Sequence, residues 1–93
     1  MNYLIQVWSA PGLKPREVVE SVLRYEEDWI QLDNVTWFVR STKTASQLSA
    51  LLAPLMGKTG SWFVAEVHPK NIQGRMAAAF WDWINRKIPP AST

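Results

Sequence analysis

The chain has 93 residues, of which 47% are hydrophobic and 19% are charged. This balance is that of one folded domain rather than a disordered segment, and the length leaves little room for a second core. The 10 basic and 8 acidic residues give a net charge of +2, which is too small to indicate a nucleic-acid-binding protein. The chain contains no cysteine, which excludes disulfides, cysteine–zinc sites and thiol nucleophiles.

The same features bear on location and domain organisation. No segment approaches the ~20 apolar residues that a membrane-spanning helix needs. The N-terminal MNYLIQVW lacks the basic leader of a signal peptide and is predicted to form a first strand. We therefore expect a cytoplasmic protein with no membrane partner. A single domain is predicted over residues 1–88, followed by a short tail over residues 89–93.

The first half of the chain predicts a strand, a helix and a hairpin. The strand covers Tyr3–Trp8, and the helix begins at Pro15 and ends around Glu27. In the following WIQLDNVTWFVR, a two-residue turn at Asp33 and Asn34 would place Leu32 opposite Val35 and Ile30 opposite Trp37, all on one face. A bulged strand is the alternative interpretation of this pattern.

The second half predicts a helix, a strand and a further helix. Thr44 and Gln47 have the spacing of a capping box at the start of a leucine-rich helix. Ser61–Val67 is rich in residues that favour strands. Met76–Lys87 has helical periodicity and is followed by two prolines. GKTGS, at residues 57–61, resembles the end of a phosphate-binding loop, but it follows a helix and precedes a strand, so a turn is predicted.

This order of elements predicts an α+β, ferredoxin-like βαββαβ fold, with two helices on one face of an antiparallel sheet and an additional C-terminal helix. The other sheet face is left bare, and Trp62, Val64 and Phe38 are predicted to lie on it. Six tryptophans are more than one small core normally buries. We therefore predict a homodimer whose interface or face-covering residues are Trp62, Phe80, Trp81 and Trp83, with Trp81 at the margin of the third helix.

Few residues are candidates for chemistry. His68 is the only histidine and could act as a base, although a surface loop position is the more common role for such a residue. Glu66 lies within an apolar strand and could bind a cation, but an edge position is the simpler interpretation. Neither supplies the converging carboxylates of a metal site, and we predict no metal and no cofactor.

Basic residues near the C-terminus could form a modest patch for single-stranded nucleic acid, namely Lys70, Arg75, Arg86 and Lys87. A solvated rim around a hydrophobic interface is the interpretation that the low net charge favours.

Two segments, VTWFVRSTKTASQLSALLAPLMGKTGSWFVAEV and GRMAAAFWDWINRK, resemble the SinR-like group of small proteins. That group is similar in fold to the small ferredoxin-like subunit of the CRISPR adaptation endonuclease and to the virulence-associated D toxins. The resemblance covers roughly Val35–Lys87 and implies a homodimer. The nuclease relatives use an Asp after the first strand, and Ser9 stands at the matching position of this chain.

A hydroxyl is a poor replacement for a carboxylate that binds a divalent cation. We therefore predict a non-catalytic, homodimeric interaction module. The alternatives are a metal-dependent ribonuclease with a degenerate site that uses Ser9, Glu66 or His68, and a weak nucleic-acid binder in a phage, toxin or defence context.

Overall fold

The computed structural model describes residues 1–8 and 14–86. It has four strands and three α-helices, with short 3-10 helices after the second helix and after the last strand. The elements are β1 (Asn2–Trp8), α1 (Pro15–Leu23), β2 (Asp28–Asp33), β3 (Thr36–Arg40), α2 (Ala45–Leu52), β4 (Ser61–Val67) and α3 (Ala78–Arg86). Across these ranges no helix has the length and apolar character needed to cross a bilayer. The predicted end of the domain at residue 88 and the predicted tail lie outside the described residues.

The four strands form one antiparallel sheet in the order β2-β3-β1-β4. A ferredoxin-like fold has this order, because each βαβ half places its two strands on either side of a strand from the other half. The predicted fold class is therefore confirmed. The order also makes β2 and β4 the two edge strands of the sheet.

The predicted hairpin is present, but its register differs from the prediction. Asp33 pairs with Thr36, so the turn consists of Asn34 and Val35, and a bulge lies between Gln31 and Asp33. The Asp33 carboxylate accepts a hydrogen bond from the Val35 amide at 2.9 Å, which stabilises this turn. The structure thus combines the predicted hairpin with its bulged alternative.

The bulge changes which side chains share a face. Ile30 pairs with Phe38 rather than with Trp37, and Trp29 pairs with Val39. Ile30 therefore lies on the face opposite Trp37, and the prediction that they share a face is wrong. The extra residue in the bulge shifts the two-residue alternation of β2 relative to β3.

The main core lies between the sheet and the pair α1 and α2. It contains buried side chains from β1, β3, α1 and α2, among them Ile5, Trp37, Leu23, Leu48 and Leu52. The α2 helix begins with the predicted capping box. There the Thr44 hydroxyl accepts from the Gln47 amide at 3.1 Å, and the Gln47 side chain accepts from the Thr44 amide at 2.9 Å. These reciprocal bonds stabilise the first turn of the helix.

A second, smaller core lies on the other face of the sheet. Phe38 from β3 packs edge-to-face against Phe80 of α3, with ring centroids 5.3 Å apart, and Trp83 and Ile84 complete the buried cluster. Leu4 and Ile30 are among the half-buried side chains around it. The C-terminal helix therefore covers part of the sheet face that the ferredoxin-like plan leaves bare.

Two residues predicted for this second face lie on the other one. Trp62 and Val64 pack against the main core, whereas Phe38 is on the second face as predicted. The reason is register, because Val64 pairs with Ile5, a main-core residue of β1. In an antiparallel pair, directly opposed residues share a face.

The GKTGS segment forms the turn between α2 and β4, as predicted. Gly57 has a φ of 69°, which favours glycine. At Gly60 an added Cβ would lie 2.3 Å from the Met56 carbonyl oxygen, so only glycine fits there without a shift of the backbone. The two glycines therefore allow the chain to turn tightly between α2 and β4.

We expect Phe80→Ala to lower the free energy of unfolding by about 3–5 kcal/mol, because Phe80 is only 4% exposed and fills the second core. Urea unfolding monitored by circular dichroism measures this change. The control is Met76→Ala, since Met76 precedes α3 and is 41% exposed. An equal cost for the two variants would contradict the covering role of α3.

Candidate functional site

The candidate catalytic residues do not form a recognisable reactive site. Ser9 lies outside the described residues. Glu66 and His68 are both exposed at the end of β4, beside an open cleft of about 190 Å³ that Met1 and Asn2 also line. His68 Nδ1 accepts a weak hydrogen bond from the Lys70 amide at 3.3 Å, which places the imidazole in a local turn. In the described ranges, no group of three or more acidic or histidine side chains could hold a metal ion.

The predicted basic patch is described only in part. Lys70 and Arg75 are exposed. The side chain of Arg86 and all of Lys87 lie outside the described residues. Nucleic-acid binding by this patch stays a prediction.

The one deeply buried carboxylate among the described ion pairs is held by contacts within the chain. The Glu26 side chain is 2% exposed and pairs with the Lys43 ammonium at 2.5 Å, and the Ser41 hydroxyl also donates to it. Ser41 accepts in turn from the Lys43 amide at 3.0 Å. These contacts join the segment after α1 to the β3–α2 connection, and they engage both oxygens of the carboxylate.

A mainly apolar groove of about 370 Å³ lies beside this ion pair. Tyr25, Leu51 and Leu55 line it and are among the exposed large hydrophobic residues. Among the described residues, the charged ones that line it are Glu26 and Lys43, which pair with each other. The described lining of the groove is therefore mainly apolar, with one internally paired carboxylate and ammonium.

Tyr3 is an ionisable side chain whose pKa the fold clearly changes. It is 1% exposed, and its hydroxyl donates to the Lys43 carbonyl oxygen at 2.7 Å. Burial raises the pKa of Tyr3 above its ordinary value, and the negative charge of Glu66, its pairing partner on β4, raises that pKa further. The neutral hydroxyl thus serves as a buried hydrogen-bond donor.

An exposed aromatic pair lies on the sheet, and the sequence interpretation missed it. Trp8 at the end of β1 and Phe63 on β4 stack with ring centroids 6.0 Å apart and an interplanar angle of 29°. Trp8 is 48% exposed and Phe63 is 40% exposed. We call these two residues the aromatic pair. They lie on the second face of the sheet, and neither belongs to the cluster that α3 covers.

The strand alternation could have identified the aromatic pair. Trp8 has the same parity in β1 as Leu4, which lies on the second face. Phe63 pairs with Gln6, which has the same parity in β1 as Leu4, so Phe63 lies on the second face as well. The signal was present, but the assignment of Trp62 and Val64 to this face concealed it.

Most of the predicted interface residues are buried by, or hydrogen-bonded to, other residues of the same chain. Phe80 and Trp83 are 4% and 7% exposed, so they cover the sheet and present little surface to a second molecule. The Trp62 indole donates to the Ser49 hydroxyl at 2.9 Å, which ties β4 to α2. Trp81 is half-buried at the margin of the α3 cluster and contacts Phe80 edge-to-face at 5.0 Å. Its contact with a partner stays a prediction.

Comparisons of the chain with family models, curated proteins and solved structures gave no match.

We expect the free energy of unfolding to fall as the pH rises above about 10, because unfolded Tyr3 then releases its proton while folded Tyr3 still holds it. The contribution of Tyr3 is complete below pH ~10 and is lost as the pH rises through the raised pKa of the folded state. Tyr3→Phe should remove this part of the alkaline slope, measured by urea unfolding at a series of pH values.

Tyr25→Phe is the matched control, since Tyr25 is 76% exposed and should leave the alkaline slope unchanged. The hydroxyl lost in Tyr3→Phe also removes a hydrogen bond, worth about 1 kcal/mol at neutral pH. The test is therefore the slope rather than the absolute stability. Identical slopes for the wild type and Tyr3→Phe would contradict the prediction.

Proposed function

We propose that the protein is a non-catalytic, homodimeric association module. The observation that carries this proposal is the aromatic pair, which leaves a tryptophan and a phenylalanine exposed side by side on the sheet. Aromatic side chains are enriched in protein interfaces because they bury a large area at low conformational cost. Exposed apolar patches beside polar surroundings are typical of association sites.

The size of the chain supports the same proposal. A domain of 93 residues buries only about 60–65% of its unfolded surface, so association adds to a modest stability. The aromatic pair also adjoins an edge strand, since Phe63 belongs to β4. An exposed aromatic at an edge can be covered by a second copy that extends the sheet.

The proposed dimer agrees with what the resemblance to the SinR-like group implies, and we propose that relationship together with a cytoplasmic location. The alternative of a metal-dependent ribonuclease has less support. Glu66 and His68 are exposed at a strand end, and the Ser9 position offers a hydroxyl where the nuclease relatives have a carboxylate.

We expect the purified protein to sediment as a dimer at tens of micromolar. Phe63→Ala and Trp8→Ala should each weaken dimerisation by about 2 kcal/mol, or roughly thirtyfold, if they are hot-spot residues. Tyr25→Ala is the control, because Tyr25 is an exposed aromatic outside the sheet. A monomeric wild-type protein at this concentration would refute the proposal.

We also expect no cleavage of labelled RNA in the presence of Mg²⁺ or Mn²⁺. The assay compares the wild type with Glu66→Ala and His68→Ala, purified in parallel. Cleavage that both substitutions reduce would contradict the non-catalytic proposal and support the ribonuclease. Equal cleavage by all three proteins would identify a contaminating nuclease.

A further inference from the structure

The two edges of the sheet differ in how their backbone groups are protected. On β2, the Trp29 amide donates to the Asp28 carboxylate at 2.8 Å, and the Gln31 side chain donates to the Asp33 carbonyl oxygen at 3.0 Å. The bulge between Gln31 and Asp33 also distorts this edge. Bulges and charged side chains are devices that prevent edge-to-edge pairing. The β2 edge is therefore unsuited to adding another strand.

The direction of the β4 backbone groups follows from the bonds between β1 and its other neighbour. The Ser41 amide donates to the Met1 carbonyl oxygen at 2.9 Å, and the Val7 amide donates to the Val35 carbonyl oxygen at 3.0 Å. Along a strand, the amide and carbonyl of one residue point to the same side, and the side alternates from residue to residue. Odd-numbered positions of β1 therefore bond toward β3, and even-numbered positions bond toward β4.

The even-numbered positions of β1 pair with Ser61, Phe63, Ala65 and Val67. These four residues of β4 use their backbone groups within the sheet. The amides and carbonyls of Trp62, Val64 and Glu66 consequently point away from the sheet. We call these outward-pointing backbone groups the outer edge of β4.

The outer edge of β4 lacks the protection that β2 has. Within residues 1–8 and 14–86, no strand pairs with it, and none of the loop and turn hydrogen bonds uses its backbone groups. The strand has seven residues, no proline and no register irregularity against β1. Glu66 is its one charged residue. Such a long, regular and mainly apolar edge is a template for another strand.

We propose that the outer edge of β4 pairs antiparallel with the same edge of a second copy, in a register centred on Val64. The two sheets then join into one sheet of eight strands across a twofold axis. Val64 lies opposite Val64 of the second copy, and Trp62 lies opposite Glu66 of the second copy. These three outward-pointing residues of each chain are all hydrogen-bonded in this register. The inference rests on the proposed homodimer and specifies its geometry.

Side-chain size and charge favour this register over those centred on Glu66 or Trp62. It places Phe63 opposite Ala65 of the second copy, so that a large side chain meets a small one on the second face. The 40% exposed Phe63 is then covered, and the two aromatic pairs lie on one continuous face. A register centred on Glu66 would set two carboxylates directly opposite each other. A register centred on Trp62 would leave the four residues Val64–Val67 without partners in β4 of the second copy.

A single-cysteine variant tests the register directly, because the chain has no cysteine of its own. Residues opposed in a hydrogen-bonded antiparallel pair have Cα atoms about 5.5 Å apart, within the range of a disulfide. We expect Val64→Cys to form a disulfide-linked dimer under mild oxidation, seen on a non-reducing gel. Ala65→Cys is the register control, and Tyr25→Cys reports random collision through an exposed position.

The controls separate the register from the dimer itself. Sedimentation of each variant in its reduced form shows whether the dimer exists. A dimer in which Val64→Cys links no faster than Tyr25→Cys, or in which Ala65→Cys links faster, overturns the register and leaves the proposed homodimer intact. Monomers throughout would overturn both proposals.

A proline substitution tests the use of the edge independently. The Glu66 amide points away from β1, so Glu66→Pro removes an outward donor without removing a β1–β4 hydrogen bond. Two such donors are lost per dimer, and we expect dimerisation at least on the order of tenfold weaker than in Glu66→Ala. Both variants lose the Glu66 carboxylate, but only the alanine variant keeps the backbone N–H at this position. Equal dissociation constants for the two variants would overturn pairing through this edge.

Discussion

The edge-to-face packing of Phe38 against Phe80 is the contact on which the rest of the surface depends. A four-stranded sheet with two helices on one side exposes a complete face, and apolar side chains on that face need a cover. The α3 helix supplies this cover around Phe38, and the half-buried Leu4 and Ile30 lie at its margin. What α3 covers belongs to the core, and what it leaves exposed is available for association.

This division assigns different roles to aromatic residues that look alike in the sequence. Phe80 and Trp83 are buried by their own chain, whereas Trp8 and Phe63 remain exposed on the same face. The excess of aromatic residues is thus shared between a second core and an uncovered pair. Because the pair lies next to the β4 edge, the apolar surface and the free backbone groups occupy one continuous region.

Much of the fold could be predicted from the sequence, because the signals were local. The strand of residues 61–67 and the capping box at Thr44 depend on neighbouring residues, and the structure confirms both. The allocation of side chains to faces depends on pairing register, which the sequence does not fix in a hairpin with a bulge. One extra residue in β2 moved Ile30 to the second face. The choice between the two parities of β4 was settled only by its pairing with β1.

The same dependence on register explains why Trp62 and Val64 were predicted for the wrong face of the sheet. A seven-residue strand with apolar residues at both parities gives no preference for either face, so Trp62 and Phe63 were equally good candidates. The indole of Trp62 has a hydrogen-bond partner on α2, and this contact fixes it on the helical side of the sheet. Phe63 lies on the opposite face, outside the cluster that α3 covers in the described residues. The β1–β4 register and the hydrogen bond of Trp62 thus agree in leaving the ring of Phe63 exposed on the second face.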